Sequence, residues 1–439
     1  MKNCSSNDKD MFKTHNFWIV ILFFVAFVIR LYAVTHITPQ EKIPRSDAQH
    51  YDEIATNIVE GNGFMSQKRL TASREPIYPL FLASIYKLCG HNYEAVHIIQ
   101  SLISASLCVF IFFIAQTIFD KKIAYLACIC SIIYMPFIHY EDWSGPGWLL
   151  TEVLFTFLLS VCVYLSLLYE AKRTLITKII LGILLGVTVQ TKGSLILFIP
   201  FLILWIFCLR DYLIKDKLKD IFLILTFFLL ALTPWTLRNY FIFNDFVFVS
   251  TNGGHVFFAS NHPLASGGWV REKSAIEKEP NYKTRYTEVE ISKAKFREAV
   301  HYLMTHSGRI PYLLFKKTIA HWSFFNENGS YNIYYGLALL LGCLGIIFSL
   351  SHLNPGNILL LFTLFWSTLL AMTFYGLPRF RIPCEPYLII FASYGIIKLF
   401  TLLQKRSLAL LALVCIISSQ VILFFYSHAI FSFLRQVIA

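Results

Sequence analysis

Apolar runs of about bilayer-spanning length, some 20 residues each, recur along this chain and decide its fold class. Inside hydrocarbon each backbone N–H and C=O must be satisfied within the protein, as an α-helix does. The runs fall at 17–35, 98–118, 123–139, 148–169, 176–190, 193–209, 221–240, 332–350, 357–375, 384–402 and 407–428. That predicts about eleven transmembrane helices, with the shorter stretch 76–88 a partial or re-entrant one. A chain 56% hydrophobic and 15% charged, with a mean hydropathy of +0.59, reads as an all-α integral membrane protein. Residues 1–439 show no internal repeat, low-complexity linker or detachable soluble domain, so a single membrane-embedded domain is expected. The first run is too long for a signal-peptide core and lacks a small-x-small cleavage site, which predicts an uncleaved anchor.

Basic residues set the orientation. With the N-terminus cytoplasmic, the inside segments carry Lys2, Lys9, Lys13, Lys121, Lys122, Lys172, Arg173, Lys178, Arg210, Lys215, Lys217, Lys219, Lys405 and Arg406. The short outside segments carry only Lys192, Arg379, Arg381 and Arg435. Two long loops, 38–97 and 241–330, therefore face outward, and the expected location is the cell inner (plasma) membrane. The net charge of +12 is mostly this topological bias, and no soluble basic domain exists to bind nucleic acid. Most of the ten cysteines lie within apolar runs, and Cys128 and Cys130 point to opposite sides of a helix, so free thiols are expected. No cofactor motif or metal-ligand set is assigned.

The first outside loop contains an amphipathic helix. Ser46 and Gln49 suggest a capping box, Tyr51, Ile54, Ala55, Ile58 and Val59 share one face, and Gly61-Asn62-Gly63 ends it. Such a helix is expected in the interface plane, with Asp47 at the membrane surface. In the second loop, charged residues from about Lys283 to His306 predict a helix, and Pro311 to Phe325 another.

Several ionisable groups sit where chemistry at a lipid surface would need them. Asp47 starts the loop helix, where the helix dipole favours a carboxylate able to act as a base. Asp52 and Glu53 read as solvent-facing charges. Arg74 and Glu75 precede Pro76 and Pro79, and arginine can give a phosphodiester two parallel hydrogen bonds. The Glu141-Asp142 pair lies in a short outside loop, where it could hold a sugar hydroxyl or a divalent ion. Glu152, Lys192 and Arg238 are charges at membrane depth and hence functional candidates. Arg30 reads as an anchor that snorkels or pairs with an acid. Pro378-Arg379-Phe380-Arg381-Ile382-Pro383 reads as a tight outside hairpin forming a phosphate clamp.

Taken in order, a series of motifs resembles bacterial glycosyltransferase family 39, relatives of protein O-mannosyltransferases and of the aminoarabinose lipid A transferase. The series is Arg30-Leu31, Ser46-Asp47-Ala48 with Tyr51, Gly61-Asn62-Gly63-Phe64, Arg74-Glu75-Pro76-Ile77-Tyr78-Pro79, Leu150-Thr151-Glu152, Thr233-Pro234-Trp235-Thr236-Leu237-Arg238-Asn239-Tyr240, Ser250-Thr251-Asn252-Gly253-Gly254 and the 378–383 segment. The resemblance covers about residues 25–400. It departs at Lys192, where relatives carry arginine, and at Ile77, where glycine is common.

The resemblance implies a GT-C fold with interfacial helices in the outside loops. It also implies an inverting glycosyltransferase that moves a sugar from a polyprenyl-phosphate donor to a hydroxyl of an acceptor glycan, lipid or protein. It places Asp47 at the family's catalytic acidic residue, read here as the base, and Arg74, Arg379 and Arg381 at the donor phosphate, beside which Arg238 and Lys192 are expected as charges at membrane depth. Tyr51, Glu75, Tyr78, Glu141, Asp142, Glu152 and Asn252 fall to sugar or acceptor positioning. A polyprenyl-lipid flippase would favour paired repeats and midplane sites, which this chain lacks. An O-antigen ligase or polymerase would share the large outside loop but not the early Asp47 loop.

Overall fold

The computed structural model describes residues 6–37, 44–139, 145–210, 212–326, 329–403, 416, 418–427 and 429–432. The apolar runs fold as helices. Among the described residues, seven are long and apolar enough to cross a membrane: Phe17–His36, Tyr93–Ile118, Glu152–Lys172, Ile214–Phe243, Ile333–His352, Pro355–Thr373 and Pro378–Leu403. Ile77–Cys89, Leu175–Val189 and Gly193–Cys208 are shorter apolar helices. The expected run 123–139 breaks at Tyr134, whose backbone is extended, and a separate helical turn, Met135–Ile138, follows with Pro136 near its start, where the missing N–H costs nothing. Most of the last expected run, 407–428, lies outside the described residues.

Packing between the helices depends on small residues, since lipid gives no hydrophobic drive between them. A Cβ on Gly345 would stand 1.8 Å from the Phe391 carbonyl oxygen, so the Ile333–Ser349 and Glu385–Leu403 helices meet backbone to backbone. Arg30 is fully buried and neither snorkels nor pairs with an acid. Its Nε donates to Ser104 Oγ at 2.7 Å and its Nη2 to the Ser131 carbonyl at 3.2 Å, joining the first span to the two helices beside it.

The first loop folds against the helices. Its helix, Ser46–Val59, buries Ala48, Tyr51 and Ala55 in a cluster that includes Tyr78, Leu82 and Tyr86 of the Ile77–Cys89 helix, and buries Ile54 as well. The expected capping box is absent: Arg45 occupies the cap, no side chain caps the helix, and Ser46 has φ +54°. A two-residue hairpin follows, Met65–Ser66 against Arg69–Leu70, turned by Gln67 and Lys68 at φ +48° and +61°. Asp52 and Glu53 are not free surface charges. Glu53 accepts from Ser66 Oγ and Gln67 N at the turn, and Asp52 from Tyr86, His91 and Tyr93.

The two long loops are tied together. Thr251 N donates to the Ala72 carbonyl at 2.9 Å. Glu288 accepts from Ala72 N at 2.6 Å, Thr71 Oγ1 at 2.7 Å and Thr251 Oγ1 at 3.3 Å. It begins the Glu288–Thr305 helix, which starts later than the expected Lys283 because Thr287 and Glu290 form the capping box. The Ile310–His321 helix follows, near the expected position.

Candidate active site

Helix ends from distant parts of the chain converge on one cavity. The N-terminus of Glu152–Lys172, the break between Val189 and Gly193, the C-terminus of Pro355–Thr373 and the Pro378–Arg381 turn meet the first loop at the same end of the bundle. The cavity measures about 630 Å³ and is lined by Asp47, Tyr51, Arg74, Glu75, Lys192, Asn252 and Arg379 among others. Seven of the sequence candidates thus share one wall system, and Glu152 lies directly behind it.

These charges form a continuous network. Arg74 Nη2 donates to Asp47 Oδ1 at 2.6 Å, and Arg379 Nη1 donates to Asp47 Oδ2 at 3.2 Å. Arg379 Nε and Lys192 Nζ both reach Glu152 Oε1, at 2.7 and 3.0 Å. The Glu152 side chain is 1% exposed, whereas a third of Asp47 (34%) meets solvent, so one acid is a sealed counter-ion and the other faces the cavity. Glu75 Oε1 accepts from Gly193 N at 3.3 Å and Ser250 Oγ at 3.2 Å, fixing the loop wall.

Burial raises the Asp47 carboxyl, but the guanidiniums of Arg74 and Arg379 outweigh it and hold the group to about 2. His50, one helical turn from Asp47, accepts from Arg74 Nε through Nδ1 at 3.0 Å. Burial, reinforced by the Arg74 charge, lowers its imidazole to about 4, so it is neutral at physiological pH. The i,i+3 spacing of Asp47 and His50 in a helix is a signal that sequence reasoning missed.

These bonds leave Arg74 Nη1 and Arg379 Nη2 without a protein partner among the described residues, in side chains that line the cavity. Lys192 Nζ sits 4.7 Å from the Phe380 ring centroid, also at the wall. Guanidinium donors and an ammonium beside an ionised carboxylate can bind an oxyanion next to a group that takes up a proton. Among the described residues no group of three or more His, Cys, Asp or Glu side chains is set to hold a metal ion.

Three expected residues lie elsewhere. Arg381 is buried and turned into the bundle, donating Nε to Glu385 Oε1 at 3.0 Å and Nη1 to the carbonyls of His321 and Ser323, with its guanidinium 3.4 Å from the Tyr335 ring centroid. The 378–383 segment is no hairpin clamp but a helical turn leading into Glu385–Leu403, so residues two apart face opposite ways. Arg238 donates to the carbonyls of Thr71 and Phe64 at 2.7 and 3.1 Å and stacks on Trp235, bracing the first loop instead of lining the cavity. Tyr78 is buried and donates to Gln100 Oε1 at 2.9 Å. Glu141 and Asp142 lie outside the described residues. The cavity also exposes residues that no motif announced, Trp269 and Tyr375 among them.

Many apolar helices thus surround a cavity at one bundle end, built from the first loop and later helix ends. Residues 73–237 match the family described as dolichyl-phosphate-mannose-protein mannosyltransferase. Similar solved structures carry the same fold. The archaeal oligosaccharyltransferase AglB from Archaeoglobus fulgidus, in complex with an inhibitory peptide and a dolichol-phosphate, superposes with a TM-score of 0.55 at 13% identity, covering 95% of this chain and 55% of that one. ArnT from Cupriavidus metallidurans bound to undecaprenyl phosphate gives a TM-score of 0.54 at 13% identity, covering 87% of this chain and 60% of that one. The chain therefore spans little more than half the length of these proteins. No curated protein matches it in sequence. The chain has the GT-C fold, as its sequence resemblance implied.

Proposed function

We propose that this protein transfers a sugar from a polyprenyl-phosphate carrier to an acceptor hydroxyl, with inversion, at the outer face of the membrane. The observation that carries the reading is the Asp47–Arg74–Arg379–Lys192 constellation on one cavity. The matched family and the lipid phosphates bound by ArnT and AglB support it.

In this reading the acceptor oxygen attacks the anomeric carbon as the bond from that carbon to the phosphate oxygen breaks. Asp47 takes the acceptor proton. The departing polyprenyl phosphate keeps the bonding electron pair, and its growing negative charge falls against Arg74 Nη1, Arg379 Nη2 and the Lys192 ammonium. Fixed cations supply this stabilisation without reorganising, and removing one such donor typically costs about 10²–10³ in turnover. Asp47, saturated by two guanidiniums, is a weak base. A donor phosphate that draws on the same arginines relaxes this hold and raises its basicity as the reaction begins. Glu152 keeps Arg379 and Lys192 in place from behind, and Tyr51, Glu75 and Asn252 complete the wall that positions sugar and acceptor.

The reading is tested by the lipid that co-purifies with the protein from its own membranes, identified by mass spectrometry. A sugar-bearing polyprenyl phosphate, lost from Arg379→Gln protein, is the expected result. Protein that carries no polyprenyl phosphate, or carries it equally in the variant, contradicts the reading.

A further inference from the structure

The cavity has a second wall made of rings. Phe380 touches the cationic side, with Lys192 Nζ 4.7 Å and Arg379 Cζ 5.8 Å from its centroid. Tyr375 follows with its centroid 5.1 Å from that of Phe380, and Trp269 lies 5.5 Å beyond Tyr375. All three line the cavity, and Trp269 remains 49% exposed. The rings therefore form a contiguous series from the cations that would hold a phosphate to Trp269.

Trp269 is presented on a pinned turn. On one side Gly376 N donates to the Gly267 carbonyl at 3.0 Å, and on the other Val270 N donates to the Ala259 carbonyl at 3.2 Å. Gly267 has φ +102°, and a Cβ there would stand 2.9 Å from Lys316 Cβ, so the turn presses on the Ile310–His321 helix where only glycine fits. The bond from Gly376 fixes this turn to the segment that carries Arg379. An indole held in a set position in a cavity that also carries fixed charges is a binding surface, since an aromatic face attracts C–H bonds that carry partial positive charge. One face of a pyranose presents such C–H bonds.

We infer that Trp269, supported by Tyr375, is the platform on which the donor's sugar ring lies, and that it makes the protein prefer a glycosylated polyprenyl phosphate to the bare lipid. The inference rests on the donor-phosphate reading above, and it assigns Trp269 to sugar selection, not to catalysis. The donor is favoured over an acceptor glycan because the ring series begins at the phosphate-binding cations.

The test is equilibrium binding in detergent, by native mass spectrometry, of undecaprenyl phosphate and of the same lipid carrying a hexose, an N-acetylhexosamine or an aminopentose. For the wild type at least one glycolipid is expected to bind more tightly than the bare lipid. Trp269→Leu is expected to reduce that preference by about fivefold, the worth of one aromatic contact, while leaving bare-lipid binding unchanged. Trp269→Phe, which keeps a ring, is expected to retain most of it and serves if the leucine variant does not fold. A preference unchanged in Trp269→Leu, as for an indole that merely sits at the membrane interface, overturns the inference while leaving the phosphate reading intact. Equal binding of all the lipids by wild type also overturns it. Failure of the wild type to bind any of them overturns the phosphate reading as well.

Discussion

Arg379 reaches Asp47 across 332 residues of sequence, Nη1 to Oδ2 at 3.2 Å, and so joins the last long helices to the first long loop. The same guanidinium donates Nε to Glu152, which leaves it one terminal nitrogen for a ligand. Arg379→Gln is expected to lower kcat/KM for the lipid-linked donor by about 10²–10³, the loss of one preorganised oxyanion donor. Arg379→Lys is expected to restore little, because a single ammonium cannot serve Asp47, Glu152 and a phosphate with the geometry of a planar fork. Steady-state kinetics of both variants check this.

Arg381, two residues on, should behave differently. With both Arg381 and Glu385 1% exposed, Arg381→Met leaves a carboxylate buried without its partner, and stability is expected to fall by about 3–5 kcal/mol. Polyprenyl-phosphate affinity of the folded fraction is expected to stay unchanged. Pairing the change with Glu385→Leu is expected to recover much of the stability. Thermal denaturation in detergent, read beside lipid binding, separates Arg381 from Arg379.

His50 gives a pH signature. Its imidazole is lowered from 6.5 to about 4 in the folded protein, so an unfolded chain binds the proton more readily between those values. Its contribution to stability is whole above about 6.5 and is lost as the pH falls toward about 4. The denaturation midpoint is expected to drop across that window. His50→Asn retains an acceptor for Arg74 Nε and is expected to flatten the drop; equal slopes in the two proteins would contradict the assignment.

How much of this could be read from the residues follows from the range of each signal. Hydropathy is local, so the described helices stand close to where the apolar runs predict them, with Tyr134 a break the pattern hid. Lys192 and Glu152 were legible because an ionisable group at membrane depth needs a reason to be there, and Asp47 and Arg74 because the first loop sets them at a lipid surface. The choice between Arg379 and Arg381 was not. It turns on whether the 378–383 segment is an open hairpin, which could present both, or a helical turn, which sends residues two apart to opposite sides. Asp52 and Glu53 misled for a related cause: their partners, Tyr86, Tyr93 and the 65–70 hairpin, are set by tertiary contact. Trp269 sits in an aperiodic turn, and only its pinning to Gly376 through Gly267 reveals where it points.

The central claim is that Asp47 takes the acceptor's proton beside a phosphate held by Arg74, Arg379 and Lys192. Sugar transfer from labelled polyprenyl-phosphate donor into washed membranes that contain the native acceptor tests it most directly, with wild type and Asp47→Asn compared at equal folded protein. The account predicts a loss of about 10²–10⁴ in turnover for Asp47→Asn with donor lipid still bound. Near-wild-type transfer by the folded variant would contradict it.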